Sequence, residues 1–366
     1  MIRSLTVLVL CLLCLSGCEK NPPEDMLENY TSRLSRVLEI QHDLPPAPDV
    51  PLFPLRRDRI MPTQEIREGL IDVLNLKQCH LIQLIAERNS SLGKVYSASQ
   101  KMVYELKFYA AIRRCLETVK QQGTPDPDLV KQLNDIYQIK DKNLSAEIWN
   151  GIYISSEVES NFSIGEKPIS LEADGSNSSM LNAYATLATL SDLALNRNTS
   201  ELPDFIQDIE PLYEKLHRNR SGARIVASLV LITQYLDQAS TLIEQRLKQK
   251  PVCFNGKISQ KAKILQNVFY KYYAGEVQPY MGNVHKHALT WLDLNTKMFK
   301  NLTTSGIELS PAVTAYYQRV IQRNSEQSLW SEYESARGRH IEAWQSVLKQ
   351  CGMMPSKNSD RIKAEA

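Results

Sequence analysis

Apolar positions recur along this chain at helical spacing, stripe after stripe. Met102, Leu106 and Tyr109, with Leu116 two turns on, share one helix face, and Met180, Tyr184, Leu187 and Ala194 share another. Ile225, Leu229, Ile232, Leu236, Ala239 and Ile243 alternate in steps of four and three, the spacing of a bundle seam. Val284, Ala288, Trp291 and Met298 form a further stripe, and Trp330, Tyr333, Trp344, Val347 and Cys351 line the last. Breakers fall between the stripes: Pro125 and Pro127, Pro203, Pro211, Gly222, Pro251, Gly256, Pro279, Gly306 and Pro311. An amphipathic run at 25–40 (Leu27, Tyr30, Leu34, Val37, Leu38) precedes a proline-rich stretch at 44–51, which must be extended and reads as a spacer or a strap. Only residues 161–172 look strand-like, with Phe162, Ile164, Ile169 and Leu171 around Gly165-Glu166-Lys167-Pro168. The pattern predicts an all-α fold, a multi-helix bundle with long helical hairpins and room for one small β-hairpin supported by the helices. No fixed-period repeat is present, which disfavours a solenoid.

The first residues add an address. One positive charge, Arg3, precedes an apolar run at 5–14 that is shorter than the roughly 20 residues of a spanning helix and reads as the core of a signal peptide. Leu15-Ser16-Gly17-Cys18 resembles the lipobox of bacterial lipoproteins. That resemblance implies a diacylglyceryl group on the Cys18 thiol, cleavage before Cys18, and acylation, as by palmitate, of the new amino terminus. Several acyl chains, at about 0.8 kcal/mol per buried methylene, hold a protein on a membrane durably. The alternative is an ordinary cleaved signal with a chance cysteine. Glu19 follows Cys18 where an inner-membrane retention signal has aspartate, so the expected location is the outer membrane, facing the periplasm. The expected organisation is signal peptide 1–17, lipidated tether 18–24, N-terminal helix and strap 25–62, helical domain 63–354 and a disordered tail 355–366.

Charge and cysteines fit that compartment. Residues 1–17 remove one of 43 Lys and Arg and none of 41 Asp and Glu, so the processed chain is nearly balanced and gives no electrostatic case for nucleic acid. The longest later apolar run, 225–236, is interrupted by Ser228, Thr233 and Gln234 and does not read as a membrane span. With Cys11 and Cys14 in the signal and Cys18 lipidated, Cys79, Cys115, Cys253 and Cys351 remain, an even number suited to two disulfides with three possible connectivities. Reading 65–88 and 99–121 as an antiparallel helical hairpin places Cys79 and Cys115 equidistant from the connection, which pairs them and leaves Cys253 for Cys351. Four free core thiols are the alternative.

The lipobox, 54–59, the stretch 79–93, Tyr104-Glu105, and Trp344 with Cys351-Gly352 resemble a family of uncharacterised gammaproteobacterial lipoproteins known as a domain of unknown function. The resemblance spans nearly the whole processed chain and implies no catalytic residues.

Candidate chemistry is sparse. His285-Lys286-His287 points two imidazoles in different directions on a helix, and no third ligand is apparent, so no metal is expected. Cys79-His80 diverge as helical neighbours and do not form a nucleophile and base. Glu157 and Glu159 could pair on a strand face but read better as a solvated edge. No phosphate loop, nucleophile elbow or HExxH is present, and no cofactor is expected. Arg56, Arg57 and Arg59 are candidates to clamp a phosphate, carboxylate or lipid headgroup, or else to pin the strap to acidic helix faces. The expectation is a membrane-anchored periplasmic lipoprotein with a non-enzymatic binding or scaffolding domain, its partners the membrane and an envelope protein or cell-wall component. The competing class is an enzyme or small-ligand binder acting on cell-wall or lipid material, with a pocket near 157–171. A deep polar pocket with convergent carboxylates favours the second, and a shallow groove or exposed apolar face the first.

Overall fold

The first helix, α1 (Pro22–Leu38), carries Glu24 and Asp25 in its first turn, where carboxylates favour the positive end of the helix dipole, and turns Leu27, Tyr30, Leu34 and Leu38 inward. This computed structural model describes residues 22–66, 81–122, 125–172, 175–197, 202–254 and 256–354. Residues 44–55 run without regular secondary structure to a short helical turn, Arg56–Arg59. Then come α2 (Leu81–Asn89), α3 (Ala98–Lys120) and α4 (Pro127–Tyr153). Local chemistry sets the ends of the last two. Ser97 and Gln100 form a reciprocal capping box at the start of α3, and Asp126 caps α4 with Pro127 at its first position. Further on are α5 (Ser176–Asp192), α6 (Ile209–Asn219), α7 (Ser221–Gln249) and α8 (Gln260–Val268). The last of these continues through a π-helical stretch, Phe269–Val277, into α9 (Gln278–Thr304). Two helices, α10 (Pro311–Tyr316) and α11 (Leu329–Gln350), complete the set.

The fold is all-α, and no strand occurs among the described residues. The main packing pairs are α3 with α4, α7 with α11, α5 with α9 and α1 with α7. One large core holds Tyr30, Trp149, Tyr153, Phe162, Tyr184, Trp291 and Tyr333, and a satellite cluster around Phe108, Ile112, Leu116 and Leu133 fills the outer face of the α3/α4 hairpin. α1 belongs to the large core along with the later helices. No helix among the described residues is long and apolar enough to cross a membrane.

Three expectations need correction. The small β-hairpin at 161–172 does not form: Ser160–Phe162 is a helical turn, and the stretch beyond it is irregular. The segment finds other partners: the Ile169 N–H donates to Ser228 Oγ on α7 at 2.8 Å, and the Asn161 side chain donates through Nδ2 to the Leu216 carbonyl and accepts at Oδ1 from the Gly222 N–H. Helix was expected from residue 65, yet 65–66 are non-helical; residues 67–80 lie outside the described residues. Helix α1 starts at Pro22, inside the stretch assigned to the tether.

Candidate functional site

α3 and α4 run antiparallel, and charged residues pair across their seam. Lys101 and Glu105 stand one turn apart on α3; Lys140 and Glu147 stand two turns apart on α4. Lys101 Nζ donates to Glu147 Oε1 at 3.1 Å and lies 3.0 Å from Oε2, while Lys140 Nζ donates to Glu105 Oε2 at 2.5 Å. Glu147 is only 4% exposed. Burial pushes its carboxyl above the ordinary value, the neighbouring Glu105 charge adds to the rise, and Lys101 opposes it. The Tyr104 hydroxyl is likewise raised, by burial first and by Glu105 second. Lys140 Nζ lies 4.9 Å from the centre of the Phe108 ring, a cation–π contact that helps hold the ammonium in place.

These side chains line a cleft of about 420 Å³, walled also by Arg88, Lys94 and residues 63–66. That last wall has no strand partner, and two asparagines replace one. Asn150 Oδ1 accepts from the Met61 N–H and its Nδ2 donates to the Met61 carbonyl, both at 2.8 Å; Asn143, two turns earlier, grips Gln64 in the same way at 3.0 and 2.8 Å. The cleft therefore combines a preformed wall with paired charges of both signs. Among the described residues its lining is dominated by lysine, arginine, carboxylate and amide side chains, which offer hydrogen bonds and charge of both signs.

The candidates read from sequence lie elsewhere. Arg59 is 1% exposed and wholly engaged within the fold: Nε donates to the Pro54 carbonyl at 2.7 Å, Nη1 to the Tyr153 carbonyl, and Nη2 to Glu159 Oε2 at 2.6 Å. Its guanidinium covers the Phe53 ring at 4.4 Å, and that ring stacks on Phe162 at 4.5 Å. Arg56 and Arg57 are exposed, so the three arginines form no common anion clamp. Glu157 and Glu159 sit on a helical turn, Ser156–Glu159, not on a strand, and Glu159 serves Arg59. His287 Nδ1 pairs with the Asn283 carbonyl at 2.9 Å, whereas His285 Nδ1 lies 3.1 Å from Arg337. Among the described residues no group of three or more His, Cys, Asp and Glu could hold a metal. Around 163–168 there is a groove of about 380 Å³, lined mainly by apolar residues such as Val50, Ile164, Val226 and Leu231.

Cys253 and Cys351 are disulfide-bonded with Cα atoms 5.2 Å apart, and Gln350 Oε1 accepts from both the Val252 and Cys253 N–H groups. Cys115 also takes part in a disulfide; Cys79, assigned to it from sequence, and Cys18 lie outside the described residues. Sequence reasoning missed Lys101, Lys140 and Glu147, and met Glu105 only within a family resemblance. The available signal was the Lys101/Glu105 step of four on the row of α3 beside Met102, Leu106 and Tyr109.

Fold and cleft together define an all-α, multi-helix protein with a charged interhelical cleft. The chain belongs to the family described as "Protein of unknown function (DUF3080)", which matches residues 27–355. No curated protein and no solved structure matches it.

Proposed function

We propose that this is a lipid-anchored protein of the bacterial cell envelope whose helical body binds, without chemistry, a small cell-wall fragment carrying hydroxyl, carboxylate and ammonium groups. The anchor rests on Arg3, the apolar run and the Leu15-Ser16-Gly17-Cys18 lipobox. The observation that carries the binding role is the Lys101–Glu147 and Lys140–Glu105 pairs lining an open cleft, where each can exchange its partner for a ligand group of the same charge. Outer-membrane placement follows from Glu19 after the acylated cysteine.

Titration of the processed body with cell-wall glycopeptide fragments, followed by ligand-observed NMR, tests this reading. Saturable binding is expected, weakened about tenfold or more in Lys101→Ala and in Glu147→Gln, since a charge-assisted hydrogen bond contributes about 1.5–3 kcal/mol. A folded body that binds no such fragment would overturn the ligand assignment. An acid–base enzyme is the second reading, favoured by one fact: Glu147 is held toward its protonated form beside a second carboxylate. Turnover of a bound fragment, abolished in Glu147→Gln with affinity retained, would select it.

A further inference from the structure

Between Glu244 and Glu276 the chain has no acidic residue and seven basic ones: Arg246, Lys248, Lys250, Lys257, Lys261, Lys263 and Lys271. In a chain with formal net charge +2, this is a concentrated cationic stretch, which runs from the end of α7 through the following turn and α8 into the π-helical stretch. Lys261 is neutralised by Glu39 at 2.8 Å, whereas Lys250, Lys257 and Lys263 are exposed without a carboxylate partner among the described residues.

The same surface holds apolar side chains out in water. Phe254 is 74% exposed, Ile258 50% and Ile264 43%. Phe254 does not hang on a loose loop. The Cys253–Cys351 disulfide fixes its neighbour, the Lys257 N–H donates to the Phe254 carbonyl at 3.0 Å, and Ser259 bonds the Val252 carbonyl at 3.0 Å while capping α8. A braced turn that presents phenylalanine and isoleucine among lysines has the composition of a membrane-interface contact: apolar tips enter the headgroup boundary while ammonium groups meet lipid phosphates.

We propose that residues 250–254 and 256–264 form a second membrane contact, docking on a bilayer surface rich in anionic phospholipid. A polyphosphate chain such as nucleic acid would use the lysines but leave the aliphatic side chains without a partner, so lipid satisfies both features where nucleic acid satisfies one. The placement suits a body tethered at Cys18. The C-terminal end of α1 meets this patch through Glu39 and Lys261, and the 17 residues of α1 span about 25 Å back to Pro22, which sets the distance between tether and patch in the docked orientation. This orientation rests on the anchor reading; the patch itself does not, and the two fail separately.

The test uses residues 19–366, unlipidated, which retain every core contact described above. Flotation is measured with vesicles of phosphatidylethanolamine plus phosphatidylglycerol, and with phosphatidylcholine alone. Binding is expected on the anionic vesicles and little on the neutral ones, declining as salt rises. Phe254→Ser lowers partitioning roughly tenfold, and Lys257→Glu with Lys263→Glu lowers it about fivefold per lysine replaced, all with unchanged circular dichroism. Absence of binding to the anionic vesicles, binding indifferent to these substitutions, or a preference for nucleic acid or an acidic protein over the vesicles would overturn the proposal. Fractionation of the full chain carrying Cys18→Ser reports on the anchor independently.

Discussion

Arg59 is a charged residue used as a core side chain. It joins the strap to α4 by bonding the Tyr153 carbonyl, while its own carbonyl accepts from Trp149 Nε1 at 2.7 Å. Replacing it with alanine strands two carbonyls and removes the cover from Phe53; because Glu159 is half-exposed and stays hydrated, the cost falls at the low end of that for a broken buried pair. Arg59→Ala is expected to lower unfolding free energy in urea by about 3 kcal/mol, and Arg56→Ala and Arg57→Ala to change it by less than about 0.5 kcal/mol. His340 gives a second residue-scale result. Trp344 Nε1 can only donate, so Tyr30 Oη accepts from it at 2.8 Å, and the same hydroxyl lies 2.8 Å from His340 Nε2, a hydrogen bond whose donor is set by the imidazole tautomer. Burial disfavours the charged imidazolium and lowers its pKa from 6.5 to about 3, so the ring is neutral at neutral pH. Near the upper value the unfolded chain takes up a proton that the folded chain refuses, so this contribution to stability is complete above pH 6.5 and is lost as pH falls toward about 3. Its slope within that window approaches about 1.4 kcal/mol per pH unit. His340→Phe should be less stable at neutral pH, because Tyr30 loses a buried hydrogen-bond partner, yet should show a flatter decline in urea midpoints as the pH is lowered.

At the scale of elements, helices were legible and their connections were not. Stripes such as 225–243 report a repeat contained within one helix, so burial of Ile225, Ile232 and Ile243 follows from local spacing. The fate of 161–172 depends on Ser228, 59 positions from Ile169, and alternation along a short segment cannot show that a hydroxyl on another helix will take its N–H. The cleft was hidden for the same reason. Lys101 and Glu147 are 46 positions apart, and each alone resembles a solvated charge on a helix. The Cys253–Cys351 bridge joins the end of α7 to the end of α11 across 98 residues, a loop whose closure is worth about 4.7 kcal/mol in the chain-entropy account. Cys253→Ser with Cys351→Ser should lose about that much in urea unfolding, and reducing agent should no longer shift the variant's midpoint through this bond.

Over the whole molecule, the sequence conveyed the fold class because nearly every long segment carries one period, whereas the cleft was not legible because α3, α4 and residues 63–66 each supply part of it. The first and last helices meet at the centre: Tyr30 on α1 is locked to His340 and Trp344 on α11, more than three hundred positions later, with Tyr273 against both Tyr30 and His340. A polypeptide that emerges amino end first therefore exposes the inner face of α1 long before its mate exists. Until α11 arrives, Leu27, Tyr30 and Leu34 lack part of their shelter, and an incomplete chain is a natural client for a holding chaperone. Completion is decided by the final forty residues, so a stop codon shortly before Leu329 should leave not a smaller body but one that never closes.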